Sequence, residues 1–257
     1  MSFSHGRRTI WCLLGAMAAS VAHADEFRVE TFVYVGNQKE AIAQNVTFFT
    51  SGLVYDFPLT GPEEITVFDA SRGRFVLIDC RRKVKTTLTT KDLIEFTSAL
   101  KAHAAEADGV FAFAANPRFQ HKHDAETDSL TLTGKVMTYR AKGMRPKIET
   151  AVSTYRDFAD WYARLNATRP GSLPPFARFE LNKAIAEKGM IPKEVELTVA
   201  PRMRIVGRKL VIRSRHMANW RLSETDRERI ETAGTYLVSF QPVSFKDYRA
   251  EAQVAAK

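Results

Sequence analysis

Three aspartates each sit near the end of a short apolar run: Asp56 in "LVYDFP", Asp69 in "EITVFD" and Asp79 in "RFVLID". A pair of carboxylates can divide the work of acid and nucleophile in glycoside hydrolysis. The same residue at the end of a strand also bonds nearby backbone amides and shapes a turn. Both readings stay open on the sequence. His121 and His123 would share one face of a strand, with Asp124 and Asp128 close by, and such a set could grip a metal ion. The spacing fixes no third ligand, and "HKHDAETD" reads as simply as a polar turn, so the sequence assigns no metal.

Other residue groups point to binding. Arg72, Arg74, Arg81, Arg82, Lys83 and Lys85 make one basic cluster; Arg202, Arg204, Arg208, Lys209, Arg213 and Arg215 make another. Their positive field would attract lipid headgroups, an anionic envelope polymer or an acidic partner, with Arg81, Arg82, Arg213 and Arg215 as the candidate surface. Charge on edge strands also guards against edge-to-edge pairing. Phe158, Trp161, Tyr162 and Leu165 recur on one side of a helical stretch. They form either core or the wall of an apolar cavity for a lipid-like ligand. The chain lacks G-x-S-x-G, H-E-x-x-H, G-x-x-x-x-G-K-[ST] and G-x-G-x-x-G, and no cofactor is implied.

The first 24 residues read as a cleaved Sec signal: Arg7 and Arg8, then "TIWCLLGAMAASVA", then the small-residue site Ala22-His23-Ala24. The apolar run is too short to span a bilayer, so no transmembrane helix is expected in the mature chain. The segment takes two of the 38 basic residues and none of the 29 acids, leaving 36 against 29, a net charge of +7. Cys80 is the one cysteine left, which rules out an internal disulfide; it reads as a small buried hydrophobe. Export to the periplasm or beyond excludes a nucleic-acid role despite a pI near 9.6. Oligomeric state is not set by these features.

Residues 25–257 read as a single α+β domain. Strands are expected at 27–35, across 45–58 with a break at Ser51-Gly52, at "EITVFD", "RFVLID" and "KVKTTLT", then at "VFAFAAN" and "SLTLTGKVMTYRA". Thr89 with Asp92 forms a capping box for a helix before Gly109. Two helices, about 149–189, make an insertion split by "RPGSLPP". "EVELTV" turns Val195, Leu197 and Val199 inward and Glu194, Glu196 and Thr198 outward. A long strand "RKLVIRSRHMANWRLS" then alternates Leu210, Ile212, Ser214, His216 and Ala218 with Lys209, Val211, Arg213, Arg215 and Met217. Ser223 caps a last helix. Short consecutive strands argue for antiparallel pairing. The expected fold is a large curved antiparallel sheet, a half-barrel, with helices packed on one face.

The cadence of "LVYDF", "ITVFDASRGRFVLID" and "KVKTTLT" resembles the hairpins of periplasmic lipoprotein-carrier proteins, over roughly Phe27 to Lys101 and Glu194 to Phe240. The resemblance implies a partly open barrel whose helices plug the concave side, with an acyl chain bound between them. The function expected is therefore that of an exported, non-enzymatic binding or carrier-like protein with an apolar interior. Its ligand would be lipid-like or an acidic envelope component. The alternative is a secreted hydrolase of an envelope polymer that uses the dispersed carboxylates.

Overall fold

A computed structural model describes residues 25–104, 106–200 and 209–255. The expected signal segment and Arg202, Arg204 and Arg208 lie outside the described residues. Among the described residues twelve strands join one open sheet. In chain order they begin with β1 (Phe27–Val35), β2 (Ala43–Phe49), β3 (Leu53–Pro58), β4 (Glu64–Asp69), β5 (Arg74–Asp79) and β6 (Val84–Thr89), an antiparallel meander. Helices α1 (Thr90–Ala104) and α2 (Gly109–Ala115) then carry the chain to β7 (Gln120–Asp124), β8 (Ser129–Thr133) and β9 (Met137–Met144). A helical hairpin, α3 (Ala151–Ala167) and α4 (Phe176–Ala186), leads to β10 (Ile191–Val199) and β11 (Leu210–Asn219). The chain ends in α5 (Glu224–Ser239), β12 (Gln241–Pro242) and α6 (Phe245–Ala255).

The order across the sheet is β12-β6-β5-β4-β3-β2-β1-β11-β10-β9-β8-β7, so β11 closes against β1 and joins the two meanders. Every pairing is antiparallel except the two-residue β12 against β6. The sheet does not close on itself; β12 and β7 are its edges.

Alternation along the strands explains the layers. Paired residues such as Phe27, Phe49 and Val54 turn to one side, the inner face, and meet α3 through Phe158 and Leu165. Leu130, Leu132, Val195 and Val199 continue that face and are covered by α4 and α2. The outer sides of β2–β5 are also apolar, with Val46, Phe48, Val67 and Ile78 buried beneath α5. Apolar residues on both faces require cover on both, so the helices are not confined to one face as the sequence led us to expect: α5 lies on the other side.

Three local differences have clear causes. "VFAFAAN" is the helix α2, not a strand. Its alanines favour helix, and Val110, Phe113 and Ala114 at helical spacing all pack into the same core cluster. The histidine-rich segment is not only a turn; residues 120–124 form the edge strand β7, whose polar side chains suit an edge. The terminal α6 and β12 carry too weak an alternation to be read in advance, yet Tyr248 of α6 is fully buried in the α3 cluster. Among the described residues no helix is long and apolar enough to cross a membrane.

Candidate functional site

The three aspartates have different surroundings. Asp69 opens a four-residue loop to Arg74: it accepts hydrogen bonds from Ser71 Oγ at 2.7 Å and from the Arg72 amide at 3.1 Å, and Gly73 follows at φ 55°. Asp79 repeats the plan, accepting from the Arg82 amide at 2.8 Å, with Lys83 at φ 55°. Asp124 repeats it again, accepting from Glu126 and Thr127 amides, with Asp128 at φ 49°. Three hairpins thus share one carboxylate-led turn, and Asp69 and Asp79 do turn chemistry. Burial opposes ionisation of Asp69, but the bonds from Ser71 and Arg72 outweigh it and hold its carboxyl below the usual range.

Asp56 is unlike them. Alternation in β3 places it on the inner face, between Thr47 of β2 and Thr66 of β4, with 5% of its surface exposed. It accepts from Thr47 Oγ1 at 2.7 Å and from Asn45 Nδ2, and Tyr162 of α3 reaches down to donate its hydroxyl at 2.9 Å. Burial pushes the Asp56 carboxyl up, against the pull of these bonds and of the Arg169 charge. Burial and the neighbouring Asp56 carboxyl push the Tyr162 phenol well above its ordinary value.

Asp56 and Tyr162 lie in the wall of a cleft of about 490 Å³. Glu64 organises its far side, accepting from Arg169 Nη2 at 3.3 Å and Arg249 Nη1 at 3.2 Å. Arg82 adds an ion pair to Asp79 at 2.8 Å and a bond to the Tyr248 carbonyl, while Arg81 stands exposed at the rim. Arg249 Nε and Nη2 are buried without a hydrogen-bond partner. The Arg249 guanidinium also lies against two rings, 5.4 Å from the Phe245 centre and 5.7 Å from the Tyr248 centre.

A second hollow of about 590 Å³ lies on the other side of the α3 terminus. Phe96 and Leu100 of α1, Val110 and Phe111 of α2 and Leu173 of the α3–α4 connector form an apolar side of it, with Asp108, Thr168 and Ser172 beside them. Phe96 and Ile94 of α1 are large exposed hydrophobics. Arg169 lines both hollows.

The remaining sequence candidates are distributed as follows. Phe158 and Leu165 are buried, and Trp161 and Tyr162 half-buried, all packed against the inner face. Phe158 meets Phe49 edge-on with ring centres 5.6 Å apart. Side chains therefore fill the space beneath that stretch of α3, and of the four only Tyr162 faces a cleft. Arg81 and Arg82 belong to the cleft, whereas Arg213 and Arg215 belong to the outer side of β11, five strand spacings from β5 and so about 24 Å away at ~4.8 Å each. The described members of the two basic clusters are not one surface. His121 and His123 lie on β7 opposite Leu132 and Leu130; among the described residues no three metal-ligating side chains come together. Cys80 is half-buried, and burial with Glu63 and Asp79 nearby pushes its thiol up, away from a reactive thiolate.

Sequence reasoning missed Glu64, Arg169 and Arg249, which converge from a strand start, a connector and the last helix. It undervalued Asp56, although the alternation of Val54 and Asp56 on one face was the available sign. No protein-family model matches the chain, and no curated protein matches it.

Proposed function

We propose that the chain is an exported, non-enzymatic binding or carrier-like protein for an anionic amphiphile. One observation carries this reading: a charged cleft and a groove with an apolar side share Arg169 just past the end of α3. The headgroup sits in the cleft, whose wall carries Arg81, Arg169 and Arg249. The alkyl chain lies along Phe96, Leu100, Val110 and Phe111, each buried methylene contributing about 0.8 kcal/mol. Both hollows have the size usual for small-molecule sites. The resemblance to lipoprotein carriers and the signal-like first 24 residues agree with this role. For the hydrolase alternative, Asp56 and Asp79 both line the cleft, but Asp69 and Asp79 are also engaged by turn amides.

The test is native mass spectrometry of protein purified from cells, before and after incubation with dodecyl phosphate. The wild type carries one bound amphiphile, and Phe96→Asp in the exposed groove carries none while keeping its circular dichroism spectrum. A wild-type chain that stays bare in both samples contradicts the proposal.

A further inference from the structure

Beyond α5 the outer face of the sheet carries no helix among the described residues. There the strand pairing lines up two side-chain rows. One runs Arg215, Glu194, Lys142 from β11 through β10 to β9. The next runs Tyr34, Arg213, Glu196, Arg140, beginning on β1. Together with the β1–β2 loop they bound an open groove of about 770 Å³. Arg213 braces the loop wall: its Nη2 donates to the carbonyls of Gly36 and Gln38, each at 3.2 Å, and its guanidinium lies 5.6 Å from the Tyr34 ring centre. Arg140 bonds Glu196 at 3.1 Å. Lys142, Glu194 and Arg215 form no ion pair among the described residues, although they are neighbours in one row.

We propose that this groove binds a segment of an acidic polysaccharide. Basic and acidic columns alternate from strand to strand, about 4.8 Å apart, and Lys39 on the loop adds to the positive excess. A surface that presents only anions, such as a phospholipid bilayer, is drawn to the cations but repelled by Glu194 and Glu196. A glycan chain with carboxylates uses both columns: its acidic groups meet Arg215 and Lys142, and its hydroxyls donate to the glutamates. On β8, Ser129 extends the first row and Thr131 the second with neutral hydroxyls. The inference concerns the sheet face opposite the amphiphile cleft and stands independently of that reading.

Isothermal titration of the full chain with tetragalacturonate tests it, alongside neutral maltotetraose and phosphatidic acid vesicles, whose headgroup is a bare phosphate. Tetragalacturonate binds, maltotetraose binds at least about tenfold more weakly, and the vesicles are not retained. Lys142→Glu combined with Arg215→Glu raises the Kd about tenfold or more with an unchanged circular dichroism spectrum. Glu194→Gln is the decisive arm. It makes the groove more positive, so plain charge attraction would tighten binding; loss of a charged hydroxyl acceptor weakens it several-fold. Absence of tetragalacturonate binding, vesicle binding in its place, an unaffected double variant, or tighter binding by Glu194→Gln would each overturn the proposal.

Discussion

Asp56 and His216 lie on the inner face in adjacent rows of the sheet, linked through Thr31, Asn45 and Thr47. Both are polar groups where the pattern calls for apolar ones, and both are satisfied. His216 shares hydrogen bonds with Thr31 Oγ1 at 3.1 Å and Ser214 Oγ at 2.9 Å, and burial, with Arg178 nearby, lowers its pKa from 6.5 to about 3. The unfolded chain takes up a proton below about pH 6.5 that the native imidazole refuses until about pH 3. The His216 contribution to stability is therefore complete above pH 6.5 and is lost as pH falls through that window, by up to about 1.4 kcal/mol per unit. Urea denaturation from pH 7 to pH 4 is expected to show wild type losing stability faster than His216→Asn; parallel slopes would refute a buried neutral imidazole. At Asp56, Tyr162→Phe removes one donor from a buried carboxylate, and an expected loss of about 1–3 kcal/mol appears as a lower urea midpoint with an unchanged m-value.

At the scale of elements, the hairpin turns were the most legible part of the chain. An aspartate followed four residues later by a left-handed position recurs at Asp69, Asp79 and Asp124, and the glycine of the first could be read directly. Gly73 has a second reason to be glycine: a Cβ there would meet Thr90 Oγ1 at 2.9 Å, at the start of α1. Gly73→Ala is expected to cost about 1–2 kcal/mol from the left-handed backbone alone, read as a fall in thermal midpoint. Asp79→Ala is expected to lower stability by about 1 kcal/mol through the lost turn bond to the Arg82 amide, read as a lower urea midpoint; an unchanged midpoint would refute that role. The capping boxes Thr89–Asp92 and Ser223–Asp226 were equally plain, because each is a local bargain between a side chain and an amide three residues away. Helix α2 was misread because a seven-residue alternation of aromatic and small residues fits either period.

For the whole molecule, the strand pattern foretold an antiparallel sheet with helices against it, because alternation is local. The adjacency of β1 and β11 was not legible, nor was the reach of Arg249 to Glu64 across 185 residues. Such pairings follow from how the entire sheet assembles, not from any window of sequence. The same holds for the site. Its apolar and basic residues stood out, but which of them face one another depends on topology: Tyr162 turned to Asp56, Phe158 and Leu165 turned into the core. Leu165→Ala is expected to cost about 2–5 kcal/mol through the cavity it leaves beneath α3, a stability loss measurable by urea denaturation and without specific effect on ligand affinity. The most direct test of the central claim is calorimetric titration of dodecyl phosphate and dodecanol into wild type and Arg169→Gln. The amphiphile account predicts that wild type prefers the phosphate by about tenfold or more, and that Arg169→Gln abolishes the preference while still taking up dodecanol. Equal affinity for both compounds in wild type, or an unchanged preference in Arg169→Gln, would contradict it.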